Sequence, residues 1–245
     1  MSNVVFITSA LKTNYGIFNI TERMEQTLLT IKSVRTYVPD SIIVLIDNSI
    51  TGIASDTSAL YTEINESVDY YIDNSEDVDI QYFHNNITNY DVGKNAMEVI
   101  GFLKAMRTSD AHIMLHNEIM SAKRLFKISG RYQVSDQFDI TQFDNDSTKD
   151  KYVFKQKQPA WIDSTVTGVT NLLQTRLWSF TPSLFEQTIA LYDSILKNMV
   201  LTFNQNKYID IEHSMVKYID PTQLIELSTV GVEGQLAPNG NRINE

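Results

Sequence analysis

The chain has 245 residues, 42% of them hydrophobic, with a formal net charge of −10 and no cysteine. That length can bury a full core, the lack of cysteine excludes disulfides and thiolate metal sites, and the acidic balance argues against general nucleic-acid binding or attachment to an anionic membrane, which both need a basic face. No apolar run is long enough for a membrane span, and the segment opening Met1-Ser2-Asn3-Val4 has no basic leader, so a cytoplasmic protein is predicted.

Val4-Val5-Phe6-Ile7 is a continuous apolar run, as in a strand buried on both faces. A loop with Asn14, Tyr15 and Gly16 follows. A helix is predicted from Asn19, with Glu22 three residues on as a capping box and Met24, Leu28, Ile31, Val34 and Val38 at helical spacing. Pro39-Asp40 ends it, and Ile42 to Ile46 forms a second buried strand closed by Asp47-Asn48-Ser49. Residues 55–72 read as a helix through Leu60, Ile64, Val68 and Tyr71; Ile80 to Phe83 reads as a short third strand; Gly93 to Arg107 reads as a third helix. This alternation implies a parallel sheet with right-handed crossovers and ligands beyond the carboxyl ends of the strands. The loops Thr8 to Gly16, Asp47 to Asp56 and Asn85 to Lys94 then face a ligand.

The run Phe126-Lys127-Ile128-Ser129-Gly130-Arg131-Tyr132 alternates like a strand and breaks at a glycine followed by arginine. A strand ending this way delivers a guanidinium to the sheet edge. Thr36 to Gly93 holds no Lys or Arg, whereas Lys94 to Arg131 holds seven against three acids. The basic segment therefore suggests an anionic ligand at that strand end; a salt bridge from Arg131 to an acid of the following loop is the competing explanation.

Beyond it, residues 139–151 read as a polar loop, and Tyr152 to Phe154 and Leu172 to Phe180 as strands. A long helix starts at Thr181-Pro182, a shorter one spans Asp210 to Ile219, a last strand spans Leu224 to Val232, and a turn-rich tail follows. No linker or repeat divides the chain, so one domain over residues 1–245 is expected.

No phosphate-binding glycine-lysine loop, dinucleotide fingerprint, nucleophile elbow or paired-histidine zinc motif occurs. His112 and His116 stand at i, i+4, but a surface or hydrogen-bonded role is expected of them. Two Asp-x-Asp triplets could hold a divalent cation on a diphosphate. Asp77-Val78-Asp79 precedes the predicted third strand, at its amino end, and is set aside; Asp144-Asn145-Asp146 lies in the polar loop.

Together, Leu45 to Ser49, Glu22 to Val34, Gly93 to Glu98, Phe126 to Tyr132 and Val232 to Gly240 resemble the GT-A glycosyltransferases. The run Phe126 to Tyr132 is similar to a K-I-S-G-R-Y signature in a viral and bacterial group of such proteins. The resemblance implies a GT-A-like, Rossmann-like α/β/α fold with a mostly parallel sheet, a nucleotide-binding half over residues 1–132 and an acceptor-side half over 133–245. It implies a nucleotide-sugar donor, a glycan or other acceptor, and, for a virus-encoded protein, the host cytoplasm. The stretch Thr8 to Leu11, with Thr8 and Ser9 as donor-site residues, would flank the base; Asp47 would meet base or ribose, with Asn48 beside it in the donor site; and Lys94, also a donor-site residue, opens the glycine-led helix. Many members place an Asp-x-Asp where this chain has Ser129-Gly130-Arg131. Arg131, assisted by Lys127 and Ser129, is expected to take the diphosphate there, which leaves a divalent metal open. The base candidates for an inverting transfer are Glu212, at a helix start, and Asp163. Trp161 and Trp178 could stack on an acceptor sugar, although each is more often core. A non-catalytic sugar- or nucleotide-binding or virion-associated protein of the same fold is the alternative.

Overall fold

The computed structural model describes residues 2–53, 58–111, 113–236 and 240–245. Strand β1 (Val4–Ser9), helix α1 (Ile20–Tyr37), β2 (Ile42–Asp47), α2 (Ala59–Ser67) and β3 (Tyr70–Asp73) open the chain. Then come α3 (Val78–Asn86), α4 (Tyr90–Ala111), α5 (Ile113–Ser121), β4 (Leu125–Ser129), β5 (Tyr132–Val134) and α6 (Ile140–Phe143). The remainder comprises β6 (Tyr152–Lys155), β7 (Gln158–Pro159), α7 (Ser164–Thr167), β8 (Asn171–Leu172), β9 (Leu177–Phe180), α8 (Phe185–Asn204), α9 (Ile211–Tyr218), β10 (Leu224–Leu227), β11 (Val232–Gln235) and β12 (Arg242–Asn244).

Among the described residues the central sheet has seven strands in the order β10-β6-β9-β4-β1-β2-β3. All pairings are parallel except those of β9, which runs against both β4 and β6. One face packs against α4, α5, α8 and α9 around Phe6, Phe102, Trp178 and Tyr192; the other packs against α1 and α2 around Ile7, Leu28, Ile31 and Leu45. The result is a three-layer α/β/α, Rossmann-like fold, as the strand-helix alternation predicted. No described helix is long and apolar enough to cross a membrane.

The capping box forms as the sequence predicts: Glu22 N donates to Asn19 Oδ1 at 3.0 Å and Asn19 N to Glu22 Oε2 at 2.7 Å. Other expectations need correction. Ile80 to Phe83 is not a strand but part of α3: Asp77 Oδ1 accepts from Asp79 N and Ile80 N, and the buried Ile80 and His84 stand one turn apart. The predicted helix over 55–72 stops at Ser67, because Tyr70 to Asp73 pairs with Val44 to Asp47 as the edge strand; its first residues, 55–57, lie outside the described residues. Asp77-Val78-Asp79 therefore follows the third strand instead of preceding it.

In the second half, the segment 139–151 is not a bare loop. It contains α6 and a 3-10 turn at Asp146–Thr148, with Phe143 and Thr148 buried. The expected strand Leu172 to Phe180 breaks into β8 and β9, and Leu224 to Val232 into β10 and β11. The tail is partly strand, since β12 and β5 flank β11 in a small antiparallel sheet. His112 of the histidine pair lies outside the described residues, as do 237–239 of the closing segment.

Candidate active site

Parallel strands end their ladders together, so β1, β2 and β4 bring Ser9, Asp47 and Ser129 to one edge. Because β9 is reversed, its entry joins the same edge: Ser129 N donates to Arg176 O at 3.0 Å. The Gly130 corner is a close-packing device. Gly130 N donates to Thr8 O at 2.8 Å, Thr27 Oγ1 donates to Gly130 O at 3.1 Å, and a Cβ on Gly130 would stand 3.1 Å from both Ser9 Cβ and Thr27 Oγ1. Arg131 N then bonds back to Ser129 O at 2.8 Å, a three-residue turn that aims Arg131 off the strand.

Two adjoining cavities open at this edge, and Lys94, Glu98, Ser129 and Arg131 line both. The first is walled by Thr8, Ser9, Asn48, Tyr15, Tyr90 and Arg23. Arg23 is 7% exposed and its guanidinium is committed to the backbone: it donates to Phe18 O, Ala10 O and Tyr15 O, and so shapes the loop after β1. Burial, and then the charge of Arg131, lower its pKa to about 10. Two guanidiniums that feel each other across a cleft favour an anion between them.

Arg131 itself carries no ion pair among the described residues, and its Nε is buried without a partner. Its guanidinium carbon stands 5.7 Å from the centre of the Tyr132 ring, and Arg176 approaches that ring at the same distance. The competing salt bridge to the 139–150 segment does not form. That segment packs at the opposite, amino edge of the sheet, where Arg124, just before β4, donates to Thr148 O and Lys151 O.

Lys127 is fully buried beneath the cleft and all three of its donors are occupied, by Glu98 Oε1, by Ser129 Oγ at 3.1 Å and by Thr175 O at 3.2 Å. It points to the side of Ser129, as strand alternation predicts, but supports the site from below. Burial alone would raise the Glu98 carboxyl; the Lys127 ammonium outweighs it and holds Glu98 below the ordinary range.

Asp47 is likewise committed internally. It is fully buried and accepts from Leu11 N at 3.0 Å, Ser49 Oγ at 2.8 Å and Tyr71 OH at 3.0 Å. Burial pushes its carboxyl up to about 6. Asp47 thus ties the loop after β1 to β2, while its neighbour Asn48 reaches the first cavity. Asn48 donates to Met97 O at 3.1 Å, and a Cβ on Gly101 of α4 would stand 2.0 Å from its Oδ1, so this packing requires glycine there.

The second cavity, about 310 Å³, lies between α4, the start of α9 and residues 174–176. Asn95 ties α4 to α9: its amide donates to Tyr208 OH at 2.9 Å, and Ile211 N donates to its Oδ1 at 3.3 Å. Glu212 sits in the first turn of α9 and accepts from Thr175 Oγ1 at 3.1 Å. Burial first, then the charges of Asp210 and Glu98, push its carboxyl up to about 7 against the pull of Lys94. Trp161, 60% exposed, stands at this cavity with its ring centre 5.2 Å from that of His213, whereas Trp178 is buried core stacked on Phe154. Asp163 lies elsewhere: it is exposed, caps α7 through Thr165 N at 2.7 Å, and those bonds from Thr165 hold its carboxyl low.

The structure therefore brings Thr8, Ser9, Asn48, Lys94, Ser129, Arg131 and Glu212 to one cleft. It places Lys127 and Asp47 beneath it and Asp163 apart. Sequence reasoning missed Arg23, Glu98 and Arg176. Lys94 and Glu98 stand at i, i+4 on one helix face, a signal that was present in the sequence; nothing local marked the other two.

A divalent cation, which the resemblance brings with it, does not fit the end of β4. The groups there are a hydroxyl, a backbone and a guanidinium, and among the described residues no cluster of three or more histidines and acids could hold a metal. Asp77 and Asp79 both pair with Lys104, and Asp144-Asn145-Asp146 lies at the far edge.

No family model and no curated protein matches the chain. Solved structures do. A galactosyltransferase, LgtC, bound to donor and acceptor sugar analogues is similar with TM-score 0.48 and 12% identity over 92% of this chain and 73% of that one. A glycosyltransferase involved in glycosylation of the major capsid of PBCV-1 is similar with TM-score 0.46 and 9% identity over 94% and 84%. A 4-diphosphocytidyl-2C-methyl-D-erythritol synthase from Anaerococcus prevotii is similar with TM-score 0.41 and 12% identity over 99% and 92%.

Proposed function

We propose that this chain is a cytoplasmic glycosyltransferase that moves a sugar from a nucleoside-diphosphate donor to a hydroxyl-bearing acceptor. The observation that carries the reading is the two-lobed cleft. Lys94, Arg131 and Arg23 stand around one lobe, and a carboxyl of pKa about 7, Glu212, stands in the other. The diphosphate belongs in the first lobe, where Arg131 offers paired N–H donors and Lys94 a point charge.

The acceptor belongs in the second. As its oxygen bonds to the anomeric carbon, Glu212 takes the hydroxyl proton. The bond from that carbon to the diphosphate breaks with its electron pair on the departing oxygen, and the configuration inverts. Arg131 and Lys94 stabilise the charge that develops on the leaving group. A residue titrating near 7 is matched to this task at neutral pH.

A thermal-shift and calorimetry screen of nucleosides, nucleoside diphosphates and their sugars, with and without manganese, tests the reading. Diphosphates should stabilise the protein without manganese, and nucleosides alone should not. Release of nucleoside diphosphate on adding acceptor completes the case. No response to any nucleotide would overturn it, and binding without release would favour a binding protein of the same fold.

A further inference from the structure

Among the described residues, Glu98 is the acid that lines both lobes of the cleft; the groups that share this position with it are Lys94, Ser129 and Arg131. Lys94 and Glu98 stand one turn apart on α4, so the helix presents both at the junction. Lys127 rises from beneath and takes Glu98 Oε1, while Oε2 accepts no hydrogen bond from the described residues. The side chain remains 17% exposed. An ionised carboxylate has about four lone-pair sites, so one ammonium leaves accepting capacity open to a ligand at the junction. Against burial, that same ammonium holds the carboxyl low, and Glu98 is ionised at neutral pH.

The order of groups along the donor decides what lies against this carboxylate. Arg131 and Lys94 draw the diphosphate into the first lobe, and Glu212 draws the acceptor hydroxyl into the second. The group between them is the sugar in transfer. A carboxylate accepts hydrogen bonds from sugar hydroxyls and repels another anion. We infer that Glu98 holds hydroxyls of the transferred sugar and selects a neutral sugar over a uronic acid. This rests on the transferase reading above and names the donor class: a nucleoside diphosphate that carries a neutral, hydroxyl-bearing sugar.

The test titrates UDP, GDP, CDP and dTDP into the whole protein by calorimetry, each free, as its glucose ester and as its glucuronate ester. For the base that binds, the glucose ester should bind about tenfold or more tighter than the glucuronate ester, because like charges in contact are costly. Glu98→Gln should bring the two esters to equal affinity. Affinity for the free diphosphate should not fall, since an acid beside Arg131 and Lys94 has been removed; a merely structural role would weaken all three ligands together. Should Glu98→Gln fold poorly over an unpaired Lys127, the double variant Lys127→Met, Glu98→Gln removes both charges and should lose the same preference. Equal affinity for the two esters in the unaltered protein, a preference for the uronate, or a preference that survives in both variants would overturn the inference and leave the transferase reading standing. No binding of any diphosphate, free or esterified, would instead overturn the transferase reading, and with it the sugar assignment.

Discussion

The two lobes of the cleft share a wall and differ in sign. Around the first, Arg23, Lys94 and Arg131 face a single acid, Glu98; around the second, Asp91, Glu98, Asp210 and Glu212 face Lys94, Arg131 and Arg176. Like charges gathered on one side leave a lobe that lacks its counter-ion, as an anion site requires. Carboxylates gathered on the other raise one of their number toward neutral pH, as a proton acceptor requires. Removing one group from each lobe should therefore damage different steps. Glu212→Gln keeps shape and the bond from Thr175 but cannot take a proton. Transfer should fall by about 10²- to 10⁴-fold with diphosphate affinity unchanged. Equal loss of binding and turnover, measured by calorimetry and product release, would erase the distinction between lobes.

The next largest effect concerns what the lobes have in common. Lys127 lies under both, tied to Glu98 and to the Thr175 backbone, and Thr175 also contacts Glu212. Lys127→Met takes the hydrogen-bonded cation from Glu98, whose carboxylate is 17% exposed at the cleft and keeps Lys94 and Arg131 near it, so the cost is at most about 3 kcal/mol, or a melting temperature lower by up to roughly 10 °C in a chain of this size. Adding Glu98→Gln should restore most of that stability. Failure of the double variant to recover would mean that the pair is not the floor of the cleft.

Whether an element could be read from the sequence depended on how local its cause was. The capping box of Asn19 and Glu22 and the buried run Val4 to Ile7 are written in consecutive residues, and both form. Ile80 to Phe83 is too short for periodicity to separate helix from strand; the deciding signal was Asp77 three residues earlier, acting as a cap. Tyr70 to Asp73 continued the helical spacing of Ile64 and Val68, yet the open edge of β2 claimed it. These two misreadings moved Asp77-Val78-Asp79 to the wrong side of a strand.

The site shows the same division. The Gly130-Arg131 corner is local and could be read, and Glu212 was signalled by its helix start. Glu98 was signalled by its i, i+4 spacing from Lys94, whereas Arg23 and Arg176 reach the cleft through the tertiary arrangement, in which the reversed β9 delivers Arg176. That reversal has no local signature in Leu177 to Phe180.

A smaller effect separates the lobes from the anionic side. Arg131→Ala removes a guanidinium that makes no ion pair among the described residues and stands over the Tyr132 ring, so the fold should be little changed. Diphosphate affinity should drop about 10- to 150-fold, the worth of about 1.5–3 kcal/mol for hydrogen bonds to a charged group. Arg131→Lys should recover the charge but not the paired geometry, and fall between the two. An affinity in Arg131→Ala equal to that of the unaltered protein would move the anion elsewhere.

The smallest expected effect is in the dependence of stability on pH, and it too can tell the lobes apart. Asp47, behind the first lobe, is raised from an ordinary 3.8 to about 6, and Glu212, in the second, from 4.5 to about 7. A carboxyl raised on folding binds its proton more tightly in the native state. Its contribution is therefore complete below the ordinary value and is lost as pH rises through the folded one. Asp77, Glu98 and Glu226 act in the opposite sense. Although burial opposes it, Lys104, Lys127 and Lys157 hold their carboxyls low, so their contribution is lost as pH falls. Stability should thus peak near about pH 5 and decline toward neutral, by at most about 1.4 kcal/mol per pH unit for each proton involved. Asp47→Asn should flatten the decline below about pH 6, and Glu212→Gln should flatten it up to about pH 7. Denaturant melts from pH 4 to 8 on both variants resolve the two windows. If Glu212→Gln leaves the upper window unchanged, the second lobe does not hold its carboxyl near neutrality, and the contrast between the lobes reduces to the cations of the first.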